Sequence, residues 1–318
     1  MDPQPTTAVL LLNLGGPLRK RDVKPFLLEL FRDRDIIRLG PALLQPLIAR
    51  LIVASRLKTV QGRYAEIGGG SPILRETARQ ASGLRSALRE AGFTGPVRLV
   101  FRYTSPRAMG VLESLKRSGV RELVPVTLYP HACRATTGSS LRELERLAPR
   151  FGMSLRPGLE AYATDEDYLD ALEERLREAL AQAPEATVVF SAHSLPQSQI
   201  DAGDPYEREI HATLEALASR LGPLPGGTRL GYQSKVGPVK WLEPSLESVL
   251  QTLAGRDVIV VPISFVGEHI ETLHELDIEY RELAERLGIR RWIRVPAPGV
   301  HPAFLRCLTR GTLAALGA

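Results

Sequence analysis

Short apolar, β-branched runs recur along the chain, and each gives way to a stretch with helical spacing. Val9–Leu14, Val97–Tyr103, Glu122–Tyr129, Val188–Ser191, Arg229–Tyr232 and Val258–Phe265 read as strands, because continuous apolar runs of this length suit strands covered on both faces. Between them, apolar residues recurring every third or fourth position predict helices over Asp22–Asp33, Leu74–Glu90, a stretch ending at Ser118, Thr137–Leu147, Asp165–Gln182, Tyr206–Leu221, Pro244–Leu253 and Glu268–Leu287. Such alternation implies right-handed βαβ units and parallel sheets with helices on both faces. The halves also echo one another: Phe101-Arg-Tyr-Thr-Ser-Pro106 resembles Gly231-Tyr-Gln-Ser-Lys-Val-Gly-Pro238, and Val124-Pro-Val-Thr-Leu-Tyr-Pro-His131 resembles Val261-Pro-Ile-Ser-Phe-Val-Gly-Glu268. The predicted fold is α/β: two similar lobes, residues 1–160 and 161–318, with a cleft between their strand ends.

The junction after Val258–Phe265 carries the sharpest pattern, since open α/β sheets place ligands at the carboxyl ends of their strands. On the following helix Glu268, Glu271, Glu275, Glu279 and Glu282 share one stripe, opposite Leu273, Leu276, Tyr280, Leu283 and Leu287. Asp277 and Glu282 have Arg281 and Arg286 one turn on, whereas Glu268, Glu271, Glu275 and Glu279 have no Lys or Arg three or four positions away. Like charges at that spacing each cost roughly 0.2–0.5 kcal/mol. The stripe suits either a solvated face or a path for a cation or protons beside His269.

Ile36–Val53 is apolar but interrupted by Arg38, Gly40, Pro41, Pro46 and Arg50. It reads either as a core helix or as an apolar surface facing a membrane or a flat ligand. Gly68-Gly69-Gly70-Ser71-Pro72 turns the chain and permits a close backbone approach.

The net charge of +5 is not gathered into Lys/Arg runs, which argues against nucleic acid. With only Cys133 and Cys307 there is no disulfide framework, as in a reducing compartment. The first residues lack a secretory pattern, and no apolar run reaches spanning length. A cytoplasmic protein is expected.

Of the six histidines, His193 in Phe190-Ser-Ala-His-Ser-Leu-Pro196 ends a predicted strand, the same topological place as His269. The spacing His269-x-Glu271-x-x-His274 is not that of a His-Glu-x-x-His zinc site, and neither Gly15-Gly16 nor Gly68–Gly70 matches a nucleotide fingerprint.

Taken in order, Leu11-Leu-Asn-Leu-Gly-Gly-Pro17, Ile67-Gly-Gly-Gly-Ser-Pro-Ile73, Phe101-Arg-Tyr103, Thr136-Thr-Gly-Ser-Ser140, Phe190–Pro196, Gly203-Asp-Pro-Tyr206, Gln233-Ser-Lys-Val-Gly-Pro238 with Trp241, and His269-Ile-Glu-Thr-Leu273 resemble the ferrochelatases. These enzymes insert ferrous iron into protoporphyrin IX at the last step of haem synthesis. The resemblance covers nearly the whole chain and implies two Rossmann-like lobes. It implies that His193 accepts pyrrole protons or binds metal, that Glu271 faces it across the macrocycle, and that His269 is the neighbour of Glu271. Glu275 and Glu279 match the acidic row that passes metal or protons, so the implied metal set is His193, Glu271, Glu275 and Glu279. Leu14, Arg102, Tyr103, Tyr129, Trp241 and Phe265 match pocket-lining positions, Ser234 and Arg56 match propionate-binding ones, and Ile36–Val53 matches a lip that meets the inner membrane face peripherally.

This chemistry is physically coherent. A flat apolar macrocycle needs an apolar slot with a few polar groups. Insertion removes two N–H protons, which calls for a base poised near neutrality. Carboxylates and one imidazole hold Fe²⁺ loosely enough to release it. The sequence departs from the family at Gly267-Glu268, where Ser-Asp is usual, and at Tyr232, where Trp is frequent. Cys133 matches the first cysteine of cluster-bearing members, but only Cys307 follows it, so no [2Fe–2S] cofactor is expected. A related tetrapyrrole chelatase using coproporphyrin or cobalt, and a non-catalytic porphyrin carrier, are the alternatives; a carrier would not need the acids behind Glu271.

Overall fold

The computed structural model describes residues 6–235 and 239–317, which places the end of the Gln233–Pro238 motif outside the described residues. The chain divides into two compact units, Met1–Ala161 with Leu305–Ala318, and Tyr162–Phe304. The first holds strands β1 (Thr7–Asn13), β2 (Val97–Phe101), β3 (Glu122–Thr127) and β4 (Ser154–Leu155), all parallel in the order β2-β1-β3-β4. Ala8 to Leu12 of the central β1 are fully buried, which is why that strand reads as an unbroken apolar run. One face packs on Leu112, Leu115, Leu144 and Leu147 from the crossover helices.

The second unit repeats the plan with β5 (Thr187–His193), β6 (Thr228–Gln233), β7 (Asp257–Pro262) and β8 (Arg291–Arg294) in the order β6-β5-β7-β8, again parallel. Leu246, Leu250, Leu276 and Ala284 cover one face of its sheet. The repeat extends to single hydrogen bonds. Phe101 N–H donates to Pro106 O at 2.8 Å, and Tyr232 N–H donates to Pro244 O at 2.9 Å. The bond that Pro106 accepts in the first unit is accepted by Pro244 in the second.

Three expectations are corrected. The segment after β7 is not one α-helix from Glu268. It is a π-helix, Glu271–Glu279, continued by an α-helix, Tyr280–Arg286; i→i+5 bonding widens its turns, which a 100° periodicity cannot represent. The first unit has the same device in miniature, a π-turn Arg134–Gly138 before the helix Ser139–Leu147. The apolar stretch becomes helical only at Gln45, and that helix runs on to Glu66. The last residues, Leu305–Ala318, group with the first unit rather than the second: a Cβ on Gly83 would lie 2.7 Å from Leu305 Cδ1, one on Gly311 2.8 Å from Leu159 Cδ1, and Arg156 Nη2 donates to Leu316 O. No described helix is long and apolar enough to cross a membrane.

Candidate active site

The carboxyl ends of β5, β6 and β7 assemble the second unit's polar cluster. β5 delivers His193 as its last residue. After β7 the chain turns through Ile263–Ile270 and presents Glu271 as the first residue of the π-helix. His193 Nδ1 and Glu271 Oε2 are 2.8 Å apart. The side chains stay 34 % and 29 % exposed, so a ligand can reach a pair that is otherwise enclosed by protein. A carboxylate can only accept, so Nδ1 carries the hydrogen and Nε2 is left facing outward.

Burial opposes charge on the His193 ring, but the adjoining Glu271 carboxylate, with Glu275 behind it, raises its pKa overall. Burial likewise opposes charge on Glu271, yet His193 and then His269 hold it far below the usual carboxylate range. Glu275 behaves oppositely. Burial and the charge of Glu271 push it up to about 7, against the opposing hydrogen bond from Ser234. Two carboxyl groups four residues apart thus differ in protonation at neutral pH, a separation that commonly marks distinct acid and base roles.

His269 Nδ1 lies 3.2 Å from Gly267 O; a carbonyl only accepts, so Nδ1 donates, and Nε2 on the other side of the ring lies 3.8 Å from Glu271 Oε2. The Phe265 ring packs edge-on at 4.4 Å from the His269 ring and 6.4 Å from that of His193. Pro196 and Trp241 form an antiparallel bridge, which sets Trp241 beside the turn that follows His193. The buried Trp241 Nε1–H has no acceptor among the described residues. Ser234, in the left-handed region with φ 68°, donates its hydroxyl to Glu275 Oε2 at 2.6 Å. Glu279 Oε2 is 3.7 Å from His274 Nδ1. No group of three or more His, Cys, Asp or Glu among the described residues is arranged to hold a metal ion.

The first unit gathers its own set at the strand ends. Leu14 follows β1, and Tyr103 N–H donates to its carbonyl. Arg102 is 13 % exposed at its side chain and is committed to Asp33 at 2.6 Å and Glu143 at 3.1 Å. Tyr103 Oη donates to the same Asp33 oxygen at 2.7 Å. The buried Tyr129 hydroxyl lies 3.5 Å from Ser140 Oγ. Arg56, half-buried on the helix Gln45–Glu66, makes no ion pair among the described residues. A separate cavity of about 300 Å³ lies at the amino end of β2, among Arg85, Arg89, Pro96, Val97 and Arg98. Arg85 and Arg89 occupy the last turns of a helix, where cations suit the free carbonyl ends.

Sequence spacing misassigned some acids. Asp277 pairs with Arg294 at 2.6 Å rather than with Arg281, and Glu268, which precedes the helix, meets the same Arg294 at 3.0 Å and accepts from Ala297 N–H. Arg294 lies on β8, a strand too short and too charged to be read as one. Glu282 does have its predicted partner, Arg286. Sequence reasoning also passed over Gln233, whose Nε2 donates to Glu271 O at 3.1 Å while its Oε1 accepts from Ser191 Oγ at 2.5 Å. Its only signal was its place inside a recurring motif.

A ferrochelatase family model matches residues 6–315 of this chain. The ferrochelatase of Geobacter metallireducens is 45 % identical over 312 residues, spanning 95 % of this chain and 96 % of its own. That of Geotalea daltonii is 44 % identical and spans 95 % of each. Among solved structures, SirB from Bacillus subtilis with Fe³⁺ aligns over 98 % of this chain and 96 % of its own, with a TM-score of 0.57 at 15 % identity, a likeness of fold.

Proposed function

The chain belongs to the ferrochelatase family, metal chelatases acting on a porphyrin and iron, and on that premise we propose that it inserts Fe²⁺ into protoporphyrin IX to give protohaem and two protons. Iron is cargo here, not a resident cofactor. The observation that carries the assignment of roles is the 2.8 Å contact of His193 Nδ1 with Glu271 Oε2, which leaves Nε2 turned outward to receive a pyrrole proton. Glu271, held ionised by its two histidines, fixes the imidazole tautomer and stabilises the imidazolium that forms. Glu275, poised near pH 7, exchanges protons readily at neutrality and, with Glu279, takes charge away from the ring. Phe265 and Trp241 supply the apolar wall. Binding energy from such walls can be used to bend the macrocycle and expose its nitrogen lone pairs.

The same proposal places the exposed leucines of the Gln45–Glu66 helix and the turn before it on a membrane surface, at the cytoplasmic face. It includes no iron–sulfur cluster, since the chain has two cysteines and such a cluster takes four thiolates; iron and sulfide analysis of the purified monomer should find neither in stoichiometric amount.

Anaerobic incubation with Fe²⁺ and either protoporphyrin IX or coproporphyrin tests the activity and the substrate together. The free-base porphyrin spectrum should convert to that of haem, faster with protoporphyrin; a preference for coproporphyrin overturns the substrate assignment. His193→Ala should still quench porphyrin fluorescence on binding but insert no iron, and Glu271→Gln should behave similarly. Wild-type turnover by His193→Ala would remove His193 from the chemistry.

A further inference from the structure

β5 and β7 stay in register only as far as Ser191 and Pro262, and Ile263 N–H closes the ladder on Ser191 O at 3.0 Å. Beyond that point the peptide of His193 has no strand partner on the β7 side. Two hydroxyls occupy its place. His193 N–H donates to Ser264 Oγ at 3.2 Å, Ser264 Oγ and Tyr206 Oη are 2.7 Å apart, and Tyr206 Oη donates to His193 O at 3.0 Å.

Each hydroxyl has a single hydrogen, which fixes the direction of the whole ring of bonds. Tyr206 gives its hydrogen to the carbonyl, so the bond between the hydroxyls runs from Ser264 to Tyr206. Ser264 in turn accepts from the His193 amide. Both hydroxyls therefore donate once and accept once, and the two polar groups flanking the His193 Cα are both satisfied by side chains. Tyr206 is only 6 % exposed, and its own amide is fixed on Asp204 Oδ1 at 3.1 Å. The phenol points back from the first residue of the helix Tyr206–Leu221. An apolar contact there would need no hydroxyl at all.

We infer that Tyr206 and Ser264 form a positioning clamp for His193, holding its backbone so that the imidazole meets Glu271 through Nδ1 and keeps Nε2 toward the substrate. The inference rests on the proposed role of His193. Neither residue touches the porphyrin nitrogens in this scheme; both act through the histidine. A loosened strand end would let the ring swing about its first side-chain torsion, and an error of about 1 Å in a reacting group can cost on the order of a hundredfold in rate. Gln233 provides the matching hold on Glu271 by way of the Glu271 carbonyl, and the same residue is the β6 register partner of His193, so the strand side of the pair is held by Gln233 and the β7 side of His193 by the two hydroxyls.

Tyr206→Phe, Ser264→Ala and their combination test the clamp in the insertion assay, with porphyrin KM and kcat measured separately and folding checked by thermal melting. The expected result is a folded Tyr206→Phe enzyme with KM unchanged and kcat lower by roughly ten- to a hundredfold, the range seen when an outer hydrogen-bond partner is removed. Ser264→Ala should lose a similar factor, the double variant should lose no more than the worse single one, and Ser264→Thr should recover much of kcat because it keeps the hydroxyl. Wild-type kcat in Tyr206→Phe, or a loss appearing only in KM or in melting temperature, would overturn the clamp. His193→Ala run alongside separates the two ideas. If it retains turnover, the assignment of His193 falls; if it is inactive while Tyr206→Phe is normal, the clamp alone falls.

Discussion

Glu271 and Glu275 are one turn apart on the same helix, yet their surroundings drive their proton affinities in opposite directions. Glu271 sits between two imidazoles. Glu275 is enclosed with a hydroxyl and the negative charge of Glu271. This has a consequence for stability. Below the ordinary carboxyl range near 4.5, Glu275 is protonated in both the folded and unfolded chain and costs nothing. As pH rises from there to about 7, the unfolded chain ionises first, so the folded state loses stability, and above that range the loss is complete. Replacing Glu275 with Gln should therefore stabilise the protein at pH 8 by on the order of 2 kcal/mol and much less at pH 5. Urea unfolding of both proteins at the two pH values measures this; an equal gain at both would show that charge is not the cause. At this scale the sequence was readable for His193, His269 and Glu271, which it singled out and which the structure brings together. It was silent where the partner lies far along the chain. The Arg294 bonds to Glu268 and Asp277 and the Tyr206 bond to His193 are set by tertiary packing, and helical spacing pointed instead to Arg281.

The helix Gln45–Glu66 shows what an element does with more apolar surface than a core can take. Gln45, Ala49 and Val53, each four apart, are buried. Leu47 and Leu51, with Leu43 in the preceding turn, are 55 %, 64 % and 94 % exposed, and Leu44 is 49 % exposed. The buried and exposed sets are both spaced by four, so they run as parallel stripes, and the outer stripe is left to water. Leucines clustered this way favour insertion among lipid tails, while Arg38, Arg50 and Arg56 in the same stretch suit phosphate headgroups. The wild-type protein should sediment with anionic liposomes, and Leu43→Ser/Leu47→Ser/Leu51→Ser should not, while melting within a few degrees of wild type because the three side chains contribute little to the core. Failure of the wild type to sediment would leave the stripe without a membrane role. Element type was legible where the apolar period was strong and long, as in β1, β5, β7 and the helix Tyr206–Leu221. The π-helix Glu271–Glu279 was not, because side-chain spacing reports a face and not which carbonyl each N–H selects. β4, at two residues, and β8, with Arg at both ends, offered no strand pattern.

Over the whole molecule, the duplicated strand order 2-1-3-4 explains why internal echoes in the sequence revealed the architecture. Each lobe must satisfy the same crossover geometry, so similar residues recur at the same turns. What the echo cannot reveal is how the chain closes. A repeat model assigns the last residues to the second lobe, yet Leu305–Ala318 packs with the first. The reason is steric. Gly83 and Gly311 leave space that Leu305 and Leu159 fill, and Thr312 and Leu308 are fully buried. The closing segment thus belongs to the core of a sheet whose first strand lies near the start of the chain. Removing residues 305–318 should then act unequally on the two units. Burying Leu308 alone accounts for about 1.5–3 kcal/mol of transfer free energy, and the cavities left beside Gly83 and Leu159 add to the loss. Amide hydrogen exchange read strand by strand is the measurement. Protection of β1 and β3 should fall in the truncated protein while that of β5 and β7 changes far less. The opposite order, or equal loss across all eight strands, would assign the closing helix to the second unit or to both.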